Sequence, residues 1–226
     1  MRRSLTSCAM PVLMLTMVAC GGKTNQALTA PEIEQYRIAR IAVLPFLVEQ
    51  PTPGQDRGYA APAPPVEAGE RLSEIFYRKL KNWEGIDVIP SDEVQNAMVM
   101  VAGKPLTRSA ITSIGQKLGA DGVLVGTVQV YKERTGSAMG LDRPQDAAEV
   151  GFATQLISVK DGVPLWTGQY HERQRPANED LSGLLERGPR YLTVEQLADS
   201  AVNHVLRKFP IGRPPQTPTR SPQAVQ

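Results

Sequence analysis

Asp121-Gly122-Val123-Leu124-Val125-Gly126-Thr127-Val128-Gln129-Val130-Tyr131 decides how this chain folds. Its first half is apolar on both faces and its second half alternates, as a strand does when it leaves the covered centre of a sheet. The helix before it starts at Thr107, carries Ile111, Ile114 and Leu118, and is closed by Gly119, a residue suited to a left-handed cap. A strand is predicted after it over residues 148–159. Asp161-Gly162 is a hairpin signal that returns the chain as a further strand over 163–173. The sheet therefore ends antiparallel.

Working back from there, residues 37–46 hold Ile41-Ala42-Val43-Leu44, again apolar on both faces, with Pro45 at the strand's end. From Val66 the spacing changes: Leu72, Ile75, Phe76, Leu80 and Trp83 share one face of a helix, with Glu70, Arg71, Glu74, Arg78 and Lys81 elsewhere. Gly85 ends that helix, residues 86–90 form a short strand, and Ser91 caps the next helix with Asp92 and Glu93 in its first turn. A crossover helix between the first two strands makes them parallel. Two helices close the domain. One opens at Asn178 and carries Leu181, Leu184 and Leu185; the other opens on the capping box Thr193-Val194-Glu195-Gln196 and carries Leu197, Ala201, Val205 and Phe209. The expected fold is α/β, a mixed sheet of about five strands with helices packed on it, in the order β-α-β-α-α-β-β-β-α-α. Two long loops interrupt it: residues 47–65, with five prolines and two glycines, and the polar residues 133–145.

The flanks say where the protein lives. Arg2 and Arg3 precede an apolar run from Ala9 to Ala19, too short to span a bilayer, and Ala19 stands directly before Cys20. This resembles the lipobox of bacterial lipoprotein signal peptides, with Met17 where Leu is usual and with Gly21-Gly22 following. The resemblance implies cleavage after Ala19 and acylation of Cys20. Residues 1–19 are then the signal peptide, 20–36 a lipidated tether, 37–209 a single domain and 210–226 a disordered Pro-rich tail. Cys8 leaves with the signal, so no internal disulfide can form and stability must come from a core. Removing Arg2 and Arg3 from the 25 Lys and Arg leaves 23, against 23 Asp and Glu, so the mature chain is near neutral and carries no electrostatic footprint for nucleic acid.

Arg40-Ile41-Ala42-Val43-Leu44-Pro45-Phe46, then Leu118-Gly119-Ala120-Asp121-Gly122-Val123-Leu124-Val125-Gly126-Thr127, then residues 156–166 from Leu156 through Asp161-Gly162 to Trp166 resemble a broad group of envelope lipoproteins. The group includes the curli-secretion channel lipoprotein, the lipoprotein activator of penicillin-binding proteins and the amino-terminal domain of the Tol system's propeller protein. What the resemblance implies is a scaffold and an envelope location more than an activity. Pore-forming relatives insert a membrane-spanning hairpin of two strands of about 9–11 residues each, for which residues 133–145 are too short and too polar.

Candidate chemistry is sparse. His171 and His204 are the only histidines, and neither has a Cys, His or carboxylate at metal-ligand spacing. There is no Gly-x-Ser-x-Gly elbow and no phosphate loop. Asp121 reads as a cap or turn acceptor, and Trp166 and Tyr170, flanking Gly168, as a covered strand face. A basic group at Arg173, Arg175, Arg187 and Arg190 is interleaved with Glu172, Glu179, Asp180 and Glu186, as in a solvated ion-pair network.

No catalytic residue, metal or cofactor is expected. The leading expectation is a non-enzymatic factor, lipid-anchored through Cys20 in the outer membrane and facing the periplasm, that binds another envelope protein. Gly21 rather than Asp after the cysteine resembles the pattern exported to the outer membrane. A subunit of an oligomeric export channel and a nucleotide- or metabolite-binding α/β domain are the alternatives. The two long loops follow the carboxyl ends of strands, where partners of open α/β sheets gather, so Arg57, Tyr59, Arg134 and Arg143 form the expected partner surface.

Overall fold

The computed structural model describes residues 23–50, 63–99, 105–135, 147–174 and 192–215. Seven strands form one mixed sheet: β1 (Thr24–Thr29), β2 (Arg40–Val43), β3 (Leu47–Val48), β4 (Asp87–Val88), β5 (Gly122–Lys132), β6 (Glu149–Ser158) and β7 (Pro164–Arg173). Their order across the sheet is β1-β7-β6-β5-β2-β4, with β3 also paired to β5. The described helices are α1 (Ala68–Leu80), α2 (Ser91–Val99), α3 (Arg108–Leu118) and α4 (Val194–Leu206), with a short 3-10 turn at Ile33–Tyr36.

β5 joins two kinds of sheet. It runs parallel to β2, with Ala42 opposite Val123, and antiparallel to β6, with Val123 opposite Ile157. On the parallel side both faces are covered. Ile41 and Val43 join the core under α1 and α4, whereas Ala42 and Leu44 join the core under α2 and α3. Toward its far end β5 loses one cover and the alternation follows: Val128 is fully buried and Gln129 is exposed. A bulge at Gln129 shifts its register against β6 there.

The larger core is threaded by aromatics. Phe46, Phe76, Phe152 and Tyr170 follow one another at centroid separations of 5.2, 5.7 and 6.0 Å, and Trp166 meets Phe209 edge-on at 4.9 Å. Fully buried apolar side chains of this size each contribute roughly 1.5–3 kcal/mol. Phe46 is the wedge. A Cβ on Gly69 in α1 would strike the Phe46 carbonyl oxygen, and one on Gly126 in β5 would strike its ring.

Four local signals form what they promised, whereas Ser91, expected as the cap of α2, is the first residue of that helix and its hydroxyl donates to Glu74. Thr107 Oγ1 accepts from the Ala110 amide at 3.2 Å, Gly119 is left-handed at φ 64°, and Thr193 and Gln196 make both halves of a capping box. The hairpin turns through Gly162 at φ 73°, where Asp161 accepts from the Val163 amide.

Four further expectations change. The sheet has seven strands where about five were expected. The segment expected to be tether as far as residue 36 contains β1, whose whole length pairs with β7, Thr24 opposite His171 and Thr29 opposite Trp166. None of its residues is fully buried, so the hydrogen-bond ladder holds it, helped by Ala27 against the core and by Asn25, which donates to the His204 carbonyl. The loop expected over 47–65 begins with a two-residue strand, Leu47 and Val48 opposite Thr127 and Val128. The tail expected to be disordered from residue 210 first pairs Arg213 with Glu84, the two backbones exchanging hydrogen bonds at 2.9 Å. The signal peptide, Cys20, the helix expected from Asn178, and Arg57, Tyr59 and Arg143 lie outside the described residues.

If Phe46 is wedged between α1 and β5 as described, Gly69→Ala and Gly126→Ala should each lower the unfolding free energy by about 1–3 kcal/mol in a denaturant titration. Unchanged midpoints would mean that α1 and β5 do not press on Phe46.

A candidate binding cleft at the carboxyl edge of the parallel strands

β2 and β4 both end at the same edge of the sheet, and α1 and α2 leave them toward opposite faces. The divergence leaves a cleft of about 520 Å³ lined by Val43 and Pro45 after β2, by Glu67, Glu70, Arg71, Ser73, Glu74 and Tyr77 of α1, and by Ser91, Val94 and Gln95 of α2. Openings of this kind outside the carboxyl ends of strands are where ligands of open α/β sheets sit. Its floor is apolar, from Val43, Pro45 and Val94. Its rim is acidic, because Glu67, Glu70 and Glu74 recur at three and four residues and so fall on one face of α1 and the turn before it.

Arg71, the cation in this lining, is engaged elsewhere. Its Nη1 lies 2.7 Å from Glu195 Oε1, joining the start of α1 to the start of α4. Glu74 accepts from the Ser91 hydroxyl at 3.4 Å across the cleft, and the Ser73 hydroxyl donates to the Glu70 carbonyl at 2.9 Å. Both described histidines, His171 and His204, stand on the antiparallel half or on α4, so neither serine has a histidine beside it. Among the described residues no group of three or more His, Cys, Asp or Glu could hold a metal ion. The cleft can grip a polar or cationic group with an apolar stem.

Beyond α1 the same edge is fastened by Glu133. One carboxylate oxygen accepts from the Val194 amide at 3.2 Å at the start of α4, the other from the Arg134 amide at 2.9 Å. Arg134 is therefore the member of the expected partner surface that the structure places, at this edge and beside the start of α4. Tyr131, next in β5, is buried, and burial followed by the nearby Glu195 carboxylate pushes its phenol up.

The remaining candidates resolve into structural roles. Asp121 accepts from the Ala39 and Arg40 amides at 3.0 and 2.8 Å, clamping the entry of β2 to the start of β5. Trp166 and Tyr170 are core, and the Trp166 indole donates to the Lys208 carbonyl at 3.0 Å. His171 does have a carboxylate partner: its Nε2 is 2.8 Å from Glu149 Oε1, on the face of the antiparallel half opposite α4. Sequence spacing hid this pair because the two residues stand on adjacent strands, diagonally offset, with Glu149 opposite Arg173 and His171 opposite Gly151. The hydrogen bond to Glu149 holds the His171 imidazole above its ordinary range and the same bond holds the carboxyl of Glu149 below its own. A second cavity, of about 480 Å³, opens at the opposite end of α1 between Lys79, Trp83, Asn203, Arg207 and Phe209.

The chain matches no family model and no curated protein sequence. Among solved structures it is similar to a PelC dodecamer from Paraburkholderia phytofirmans, at 18% identity over 81% of this chain and 94% of that one with a TM-score of 0.46. It is similar to the lipoprotein GNA1162 from Neisseria meningitidis, at 23% identity over 75% and 99% with a TM-score of 0.39. The LpoB C-terminal domain from Salmonella enterica follows at 16% identity over 60% and 83% with a TM-score of 0.37. At these identities and scores the likeness says nothing about activity.

Two measurements check the assignments. Asp121→Ala leaves two strand-entry amides without their carboxylate and should cost about 1–3 kcal/mol of unfolding free energy; an unaltered midpoint would free Asp121 for another role. The His171–Glu149 pair stabilises while His171 is protonated and Glu149 ionised. Its contribution should be greatest between about pH 4.5 and 6.5, the two ordinary values. It should fade as pH falls through the lowered value of Glu149, and fade again as pH rises through the raised value of His171. Melting temperature against pH should lose this hump in His171→Gln; an identical profile would show that the pair is not formed.

Proposed function

We propose that this chain is a lipoprotein without catalytic activity, anchored by acyl chains on Cys20 to the periplasmic face of the outer membrane, that binds another envelope protein. The binding surface is the edge of the sheet where β2, β4, β5 and β7 end. The observation that carries the reading is that several features meet at this edge. β1 starts there at Thr24, four residues after Cys20, the acidic cleft opens there, and the connections after β3, β5 and β7 leave from there. Connecting loops held on a rigid scaffold are the usual carriers of recognition. Arg57, Tyr59 and Arg143, within two of those connections, and Arg134 beside them make up the partner surface together with the rim of the cleft.

The reading gives each part of the chain a task. The signal exports the protein, two or three acyl chains hold it where one would not, and the sheet presents one edge for docking. An apolar floor with an acidic rim supports contact with a basic side chain of a partner.

Cys20→Ala should appear as unprocessed or soluble protein on membrane fractionation; a variant still cleaved and membrane-bound would overturn the anchor. Replacing residues 51–62 and 136–146 by short Gly/Ser links should leave the melting transition cooperative, since surface loops cost little stability. The same variant should lose the protein that wild type crosslinks in membranes. Recovery of that protein at wild-type strength would move the binding surface elsewhere.

A further inference from the structure

We infer that the anchored protein stands with the start of β1 and the end of β7 against the bilayer, Lys23 and Arg173 among anionic lipid head groups, and the acidic cleft, with the Arg134 and Arg143 connection beside it, tilted off the surface. The inference rests on the anchor reading at Cys20 and adds an orientation and a lipid contact to it.

Chain direction supplies the first step. β1 is antiparallel to β7, β7 to β6, and β6 to β5, so β1 begins at the edge where β5 and β7 end. Gly21, Gly22 and Lys23 alone separate Cys20 from Thr24, the first residue of the ladder. Four residue steps reach roughly 14 Å at full extension. The start of β7, nine residue steps away along the strand, is about 30 Å from that edge. An acyl chain on Cys20 therefore holds one edge at the head groups and leaves the other well clear of them.

Charge supplies the second. Near the anchor, Lys23 is exposed, held over the Tyr170 ring and 2.9 Å from His204 Nε2, and Arg173 is exposed at the end of β7. The carboxylates beside them are turned to protein donors: Glu149, whose side chain is 13% exposed, accepts from His171, and the buried Glu172 accepts from the Tyr170 hydroxyl. Glu133, exposed at the end of β5, accepts from two backbone amides and Glu195 pairs with Arg71, whereas Glu67, Glu70 and Glu74 line the open cleft at β2. β2 is four strand spacings from β1, about 19 Å across the sheet. An anionic surface attracts the near group and repels the far one, and the resulting tilt leaves the cleft open to a periplasmic partner. Each Lys or Arg at an anionic surface changes partition by roughly fivefold.

The test uses the lipidated protein in vesicles of phosphatidylcholine alone or with one-third phosphatidylglycerol. Acylation blocks Cys20, so Thr135→Cys at the anchor edge, Leu28→Cys on the flank of β1 and Lys81→Cys at the far edge each take a single fluorescent label, quenched by head-group nitroxides. In anionic vesicles quenching should be at least threefold stronger at position 135 than at 81. Arg173→Glu, and Lys23→Glu independently, should reduce that contrast, and so should neutral vesicles. Equal quenching at 135 and 81, strongest quenching at 28, or a contrast indifferent to lipid charge and to both substitutions would overturn the orientation. Flotation separates the two readings: protein that floats with the vesicles but shows no contrast refutes the orientation alone, and protein that does not float refutes the anchor and the orientation with it.

Discussion

Strand β5 has to satisfy two neighbours of opposite direction, and the rest of the structure follows from how it does so. Its parallel bond to β2 requires crossover connections, which place α1 on one face and α2 and α3 on the other. Its antiparallel bond to β6 requires only turns, so β6, β7 and β1 extend the sheet with α4 on one face, while on the other α3 reaches only the Ile157–Val159 end of β6. The same strand is thus apolar on both faces where it starts and one-sided where it ends. The wedge of Phe46 between Gly69 and Gly126 is where the two halves are pressed together. Splitting of the chain above β2 and β4 opens the cleft, and the directions of the remaining strands bring β1 back to that same edge.

How much of this is legible in the sequence depends on whether the cause is local. The strand from Gly122, the Asp161-Gly162 turn, the left-handed Gly119 and the Thr193 capping box are set by residues within a few positions of one another, and their signals read directly. β1 has no such signal. Thr24-Asn25-Gln26-Ala27-Leu28-Thr29 turns only Asn25 and Ala27 partly inward, too little apolar character to read as a strand, and it is a strand because β7 offers it an unpaired edge more than a hundred residues later. The cleft was half visible. Glu70 and Glu74 stand out as the polar side of an amphipathic helix, and their stripe with Glu67 is a matter of counting; that it faces a hollow depends on α2 leaving β4 on the other face of the sheet. The His171–Glu149 pair, made across two strands, could be found only by fixing the hairpin register, which the bulge near Ile157 shifts.

Position of β1 is what turns a fold into a functional account. A flexible segment running to residue 36 would let the domain wander tens of ångströms from the membrane. In the proposed anchored protein a strand starting at Thr24 keeps the start of β1 and the end of β7 close to the bilayer. The account therefore turns on whether β1 is hydrogen-bonded in the anchored protein. Amide hydrogen exchange of the lipidated full chain in vesicles measures this directly. The amides that β1 presents to β7, those of Thr24, Gln26 and Leu28 by the alternation continued from Ala30, should exchange with the sheet at least a hundredfold more slowly than an unstructured peptide. Exchange of all of them at the unstructured rate, with β5 and β6 still protected, would make the segment a tether and contradict the account.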